Sequence, residues 1–82
     1  MPIIEVYSRE GCHLCEVLIE DLLDLTRGRA DVRVHDIDSR PDWLQKYDIR
    51  VPVVELDDAV VSEYSLDRDR VLDALAGLAE QG

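Results

Sequence analysis

The chain has 82 residues, room for one domain spanning 1–82 with a shallow site and no separate substrate-binding unit; its 46% hydrophobic content marks a folded globule, with Leu, Val and Ile filling the core in the absence of Phe. Nineteen acidic against nine basic residues give a formal charge of −10 spread along the chain, which opposes the phosphate neutralisation needed for DNA or RNA binding and suits basic partners. Met1-Pro2-Ile3-Ile4-Glu5 lacks the basic and long apolar regions of a secretion signal, and no stretch approaches the ~20 apolar residues of a membrane helix, so a cytoplasmic setting with no membrane partner is expected.

Ile3-Ile4-Glu5-Val6-Tyr7 is a short apolar run ended by Ser8-Arg9-Glu10-Gly11, which suits a buried strand leading into a loop. From Cys12 onward Leu14, Leu18, Leu22 and Leu25 recur at helical spacing, widened by Val17, Ile19 and Leu23, and this stripe reads as core. Gly28 fits the residue just past the end of that helix. Val32-Arg33-Val34-His35-Asp36-Ile37 alternates with a period of two, so a second strand parallel to the first is expected after the helical crossover.

Ser39 precedes Arg40-Pro41-Asp42 as a capping side chain for a short helix reaching about Tyr47, with Trp43 as a partly buried packing residue. Val53–Leu56 and Ala59–Tyr64 flank Asp57-Asp58 and read as an antiparallel hairpin. Asp67 then caps a last helix, with Leu66 and Val71 as a hydrophobic staple and Leu72, Leu75 and Leu78 as its buried face. The element order is βαβαββα.

Chemistry concentrates at Cys12-His13-Leu14-Cys15, which follows a strand and opens a helix. Unpartnered backbone N–H groups and the positive end of the helix dipole stabilise an anion there, favouring a thiolate, the form that attacks disulfides. Three residues are nearly one helical turn, so the second sulfur can close a four-residue disulfide and resolve a mixed-disulfide intermediate. In a reducing compartment such a pair is a poor structural staple, and closing so short a loop constrains the unfolded chain little. Val51-Pro52-Val53-Val54 adds a proline at the start of a strand, either an edge device or a cis turn.

Through Val6-Tyr7-Ser8-Arg9-Glu10-Gly11-Cys12-His13-Leu14-Cys15, Asp36-Ile37-Asp38 and Val51-Pro52-Val53-Val54 the sequence resembles the glutaredoxin-like branch of the thioredoxin superfamily, and is most similar to its short bacterial domains. The resemblance implies an α/β thioredoxin-like fold, a four-stranded mixed sheet flanked by helices, with Cys12 attacking, Cys15 resolving and a cis Pro52 facing them. It implies a dithiol–disulfide oxidoreductase acting on a protein or small-molecule disulfide and restored by a thiol reductant. Val51 would offer backbone to a peptide or to glutathione, and Arg9 would stabilise a thiolate or carboxylate.

His13 either stabilises a nearby thiolate when protonated or simply faces solvent, and Tyr7 either borders the thiols or packs in the core. His35 reads as a sheet residue. Several departures point away from glutathione as a cofactor. His13-Leu14 replaces the usual proline and aromatic, Val51 replaces a threonine, and Ser62–Asp67 lacks the glycine pair that holds glutathione before the last helix. Two other functions compete. One is an iron–sulfur or metal carrier using Cys12, which needs a second chain or outside ligands because one chain offers only two thiolates and no closed metal site. The other is an adaptor with inert thiols whose acidic face binds a basic protein.

Overall fold

The computed structural model describes residues 1–81; Gly82, the last residue of the expected domain, lies outside the described residues. Four strands form one mixed sheet in the order β2-β1-β3-β4, where β1 is Ile3–Ser8, β2 Asp31–Asp36, β3 Val53–Leu56 and β4 Ala59–Glu63. Three helices connect or follow them: α1 His13–Thr26, α2 Pro41–Tyr47 and α3 Arg68–Gln81. A 3₁₀ turn over Ile37–Ser39 links β2 to α2. This is the βαβαββα order and four-stranded mixed sheet of the thioredoxin-like fold.

β1 is the middle of the assembly. It pairs in parallel with β2, Val6 opposite Val34, and antiparallel with β3, Val6 opposite Val54. Side chains alternate across a strand, so Ile4 and Val6 enter one core with Val54, Leu18 and Leu22 of α1, and Val71 of α3. Tyr7 and Val53 point the other way, into a second core with Ile37 and Tyr47 of α2. The sheet is thus covered by α1 and α3 on one face and by α2 on the other.

The buried seam of α1 differs from the expected leucine stripe. It runs Cys15, Leu18, Leu22, Thr26, with Ile19 and Leu25 partly covered, while Leu14, Val17 and Leu23 remain exposed. A count of leucines places the centre of the seam too far to one side, because a cysteine and a threonine complete it. Thr26 is accommodated by donating its hydroxyl to the Leu22 carbonyl at 2.8 Å. Gly28, at φ 76°, follows the helix end as expected.

Ser39 does not cap α2. Its hydroxyl donates to the Asp36 carbonyl at 2.6 Å inside the 3₁₀ turn, and the residue before α2 is an extended Arg40 with no capping side-chain bond. Pro41 does occupy the first turn of α2. Asp67 caps α3 through the Arg70 N–H at 3.1 Å, and Leu66 and Val71 join the same core. Among the positions of α3 whose burial is described, Val71 and Leu75 are buried, whereas Leu72 and Leu78 are only partly covered.

The β3–β4 hairpin turns on two residues with left-handed backbone, Asp57 at φ 55° and Asp58 at φ 65°, the combination a type I′ turn requires. Past the turn the register slips by one, Val54 facing Ser62 but Glu55 facing Val60, so Val61 is an extra residue in β4. Left-handed backbone is costly for a side chain with a Cβ. Asp58→Gly is therefore expected to raise stability by about 0.5–1 kcal/mol and Asp58→Val to lower it, read as midpoints of urea unfolding.

Candidate active site

The thiol loop begins where β1 ends. Gly11 takes φ 75°, and the Cys12 N–H donates to the Arg9 carbonyl at 3.3 Å, closing a tight turn that delivers Cys12 to the N-cap of α1. The Cys12 backbone is extended, and its carbonyl accepts the Glu16 N–H at 3.1 Å as the helix starts. Its Sγ accepts the Cys15 N–H at 3.2 Å. Sulfur thus occupies the place usually taken by a serine or aspartate oxygen, aimed at N–H groups that have no helical partner.

Cys15 faces the core at 1% exposure, while Cys12 is partly exposed, and neither is in a disulfide. Burial, and then the hydrogen bond that its S–H donates to Cys12, push the Cys15 thiol up to about 11. The two thiols are therefore unlike in access, Cys12 reachable from solvent and Cys15 enclosed. A shallow cleft of about 560 Å³ between the thiol loop and β2 has Arg9, Gly11, Cys15, Ile19 and Asp36 among its walls.

Arg9 holds this loop in place. Its guanidinium donates to both carboxylate oxygens of Asp38, at 3.1 and 2.9 Å, and to Asp48 Oδ1 at 2.8 Å. The ion pair holds the Asp38 carboxyl below its usual range. With two carboxylates on it, Arg9 ties three segments together: the thiol loop, the 3₁₀ turn and the end of α2.

The Val51–Pro52 bond is cis, and Pro52 is buried. Because Tyr7 pairs with Val53, the antiparallel register brings Pro52 level with Ser8, where the thiol loop leaves the sheet. Cys12, Cys15, Arg9 and Pro52 therefore converge on one end of the sheet. The Val51 N–H is not free for a substrate, as it donates to the Tyr47 carbonyl at 3.2 Å.

Tyr7 is placed in the core. Its ring stacks on Tyr47 at 4.3 Å and His35 at 5.1 Å, with Trp43 edge-on at 5.5 Å. His13 is exposed, with Nδ1 3.8 Å from Glu16. His35 sits on β2 with Nε2 3.3 Å from Glu5. Among the described residues no group of three or more His, Cys, Asp or Glu side chains is arranged to hold a metal ion. Nor is any described helix long and apolar enough to cross a membrane.

Two features had no sequence signal. One is the pairing of Arg9 with carboxylates far along the chain. The other is Tyr64, whose N–H donates to the Pro52 carbonyl at 2.9 Å and whose φ is 65°.

A sheet of this order, with a cysteine pair opening the first helix and a cis proline level with it, defines a thioredoxin-fold domain with paired thiols. Residues 3–76 match the family described as Glutaredoxin-like domain (DUF836), and the chain belongs to that family. Among solved structures it is similar to structural-genomics target protein XcR50 from X. campestris, at 26% identity and TM-score 0.68 over 90% of this chain and 96% of that one. Thioredoxin 1 from Thermosipho africanus matches at 18% identity and TM-score 0.65, over 95% of this chain and 94% of that one. The germline thioredoxin Deadhead of Drosophila melanogaster shares the fold at 19% identity and TM-score 0.51, covering 93% and 79% respectively. No curated protein matches the sequence.

The Cys15 shift has a definite sign. A folded-state thiol held up to about 11 against an ordinary 9.0 keeps its proton while the unfolded chain releases one, so stability falls as pH rises from about 9 towards about 11. Urea midpoints across that range under reducing conditions should show the fall. Cys15→Ala should remove the part that begins near 9, leaving the part due to Tyr7 and Tyr47, whose buried hydroxyls are held above their usual 10.0.

Proposed function

We propose that this domain is a dithiol–disulfide oxidoreductase in which Cys12 attacks and Cys15 resolves. The observation that carries the reading is the position of the two sulfurs on α1: Cys12 at the N-cap, accepting the Cys15 N–H at 3.2 Å, and Cys15 buried in the first turn. A helix N-terminus stabilises an anionic sulfur at Cys12, whereas burial keeps the proton on Cys15.

In the first step the Cys12 thiolate attacks one sulfur of a substrate disulfide. A new S–S bond forms to Cys12, and the other substrate sulfur leaves as a thiolate that takes a proton from water. In the second step Cys15 loses its proton to solvent and attacks Cys12 Sγ, expelling the remaining substrate thiolate and leaving a Cys12–Cys15 disulfide. The substrate gains two electrons and the protein loses them. An external thiol reductant returns them, and no bound cofactor enters the cycle.

Val51 and Pro52 supply the backbone against which an extended substrate is laid. With the Val51 N–H already donated to Tyr47, the Val51 carbonyl is the group left to accept from a substrate. Arg9 acts as a positioning residue through its carboxylates, and His13 flanks Cys12 from the solvent side. The disulfide substrate and the cytoplasmic setting belong to the same proposal, since a dithiol of this kind works where thiol pools are reduced.

Intact-mass analysis tests it directly. Cys15→Ser, mixed with a disulfide substrate, is expected to gain the mass of one substrate thiol on Cys12. Cys12→Ser should gain none, and should lose disulfide reduction down to the uncatalysed rate. The unsubstituted protein should reversibly lose the mass of two hydrogen atoms across a series of reduced-to-oxidised glutathione buffers, the two electrons passing to oxidised glutathione, with both thiols protected from alkylation afterwards. Thiols that stay free throughout that series would overturn the proposal.

A further inference from the structure

The flank of α1 opposite the Cys15 cleft carries a second, apolar surface. Leu14 and Val17 stand 58% and 42% exposed in the first turns of α1, directly after Cys12. Between them and the β4–α3 junction runs a groove of about 320 Å³, walled by Leu14, Val17, Tyr64 and Leu66 and by the ion pair of Arg68 with Asp21 at 3.4 Å.

Tyr64 is its unusual member. A bulky residue at φ 65° lies in the left-handed region where glycine sits without steric cost. Its N–H is fixed to the carbonyl of Pro52, so the base of the ring is anchored at the cis proline level with the thiol loop. Yet the residue is 51% exposed, so core packing does not account for it. An unfavourable backbone held at the edge of a site points to a use for the side chain it carries.

The chemistry of the walls favours one occupant. Glutathione carries two carboxylates, but Arg68 in this groove is already paired with Asp21, Glu63 precedes Tyr64, and the whole chain carries −10. The remaining walls are mostly apolar, with His13 and Ser65 as their polar members. That combination suits a neutral or basic polypeptide with a non-polar side chain beside its cysteine.

We propose that Leu14, Val17 and Tyr64 form a docking groove for the apolar residue flanking the cysteine of a polypeptide disulfide, making a peptide segment and not glutathione the preferred substrate. This rests on the oxidoreductase reading above and names the substrate class of that site. Seating the flanking side chain in the groove brings the peptide sulfur to Cys12 at the end of the same helix. Cys12 then forms the new S–S bond, and the departing peptide leaves as a thiolate that takes its proton from water.

The test uses the Cys15→Ser protein, where reaction stops at the mixed disulfide, and three probes. Two are the symmetrical disulfides of the peptides Lys-Leu-Cys-Leu-Lys and Lys-Ser-Cys-Ser-Lys, and the third is oxidised glutathione. The leucine peptide is expected to load Cys12 about tenfold faster than the serine peptide, and faster than glutathione, as a filled apolar pocket typically discriminates. Tyr64→Gly removes the ring while relieving the left-handed backbone, so it should fold, and it should bring the leucine-to-serine rate ratio close to one. Val17→Ser, on an exposed helix position, should lower the same ratio part of the way. A ratio near one in the parent protein, a ratio unmoved by both substitutions, or oxidised glutathione as the fastest probe overturns the groove while leaving the oxidoreductase reading standing. Failure of all three probes to load Cys12 overturns both.

Discussion

The pairing of β1 along both edges is the constraint on which the rest of this structure depends. Parallel to β2 and antiparallel to β3, and buried on both faces through Ile4, Val6 and Tyr7, it has no freedom to slide without moving every side chain to the wrong face. Its C-terminal end is therefore a fixed point. The thiol loop leaves from there, Asp36 and the 3₁₀ turn leave β2 level with Ser8, and Pro52 enters β3 at the same height. The site is an assembly of three loops at one end of a sheet whose register is set by the core.

Arg9 joins those loops without contributing much to stability. Its carboxylate partners are about half exposed, and ion pairs in that setting typically add little, less still at high salt. The forked geometry matters more than the energy. Two donors on Asp38 and a third on Asp48 fix the orientation of the guanidinium, and with it the loop backbone that places Cys12 at the helix N-cap. The same engagement means that its charge is shared with two carboxylates.

Much of this architecture was legible in the residues, and for identifiable reasons. Period-two and helical patterns report local backbone geometry, so β1, β2, α1 and the hairpin were readable, as were the caps at Asp67 and Gly28. Errors arose where the deciding partner lies outside the local window. The seam of α1 needed Cys15 and Thr26, which apolar counting undervalues, and Ser39 spends its hydroxyl on Asp36 where a cap for α2 was expected. Tyr7, open between core and site, joined an aromatic cluster built with His35, Trp43 and Tyr47 from other elements. The bulge at Val61, the salt links of Arg9 and the left-handed Tyr64 belong to tertiary structure, and no spacing in the chain announces them.

The division of labour between the thiols follows from their place on the helix. Both are cysteines on one turn, yet Cys12 caps the helix at its surface and Cys15 points into the core. Burial is the largest cause of the high Cys15 value, but the hydrogen bond and charge of Cys12 add to it. Those two contributions depend on Cys12 being a free sulfur. Once Cys12 is bound in a mixed disulfide, its sulfur carries no charge to oppose ionisation of the neighbour, and only desolvation remains against it. On the oxidoreductase reading proposed above, Cys15 would be hardest to ionise while Cys12 is a free sulfur and easier once Cys12 is held in a mixed disulfide. In the proposed cycle the order of the two steps would then follow from the geometry, the buried thiol keeping its proton until its neighbour is covalently engaged.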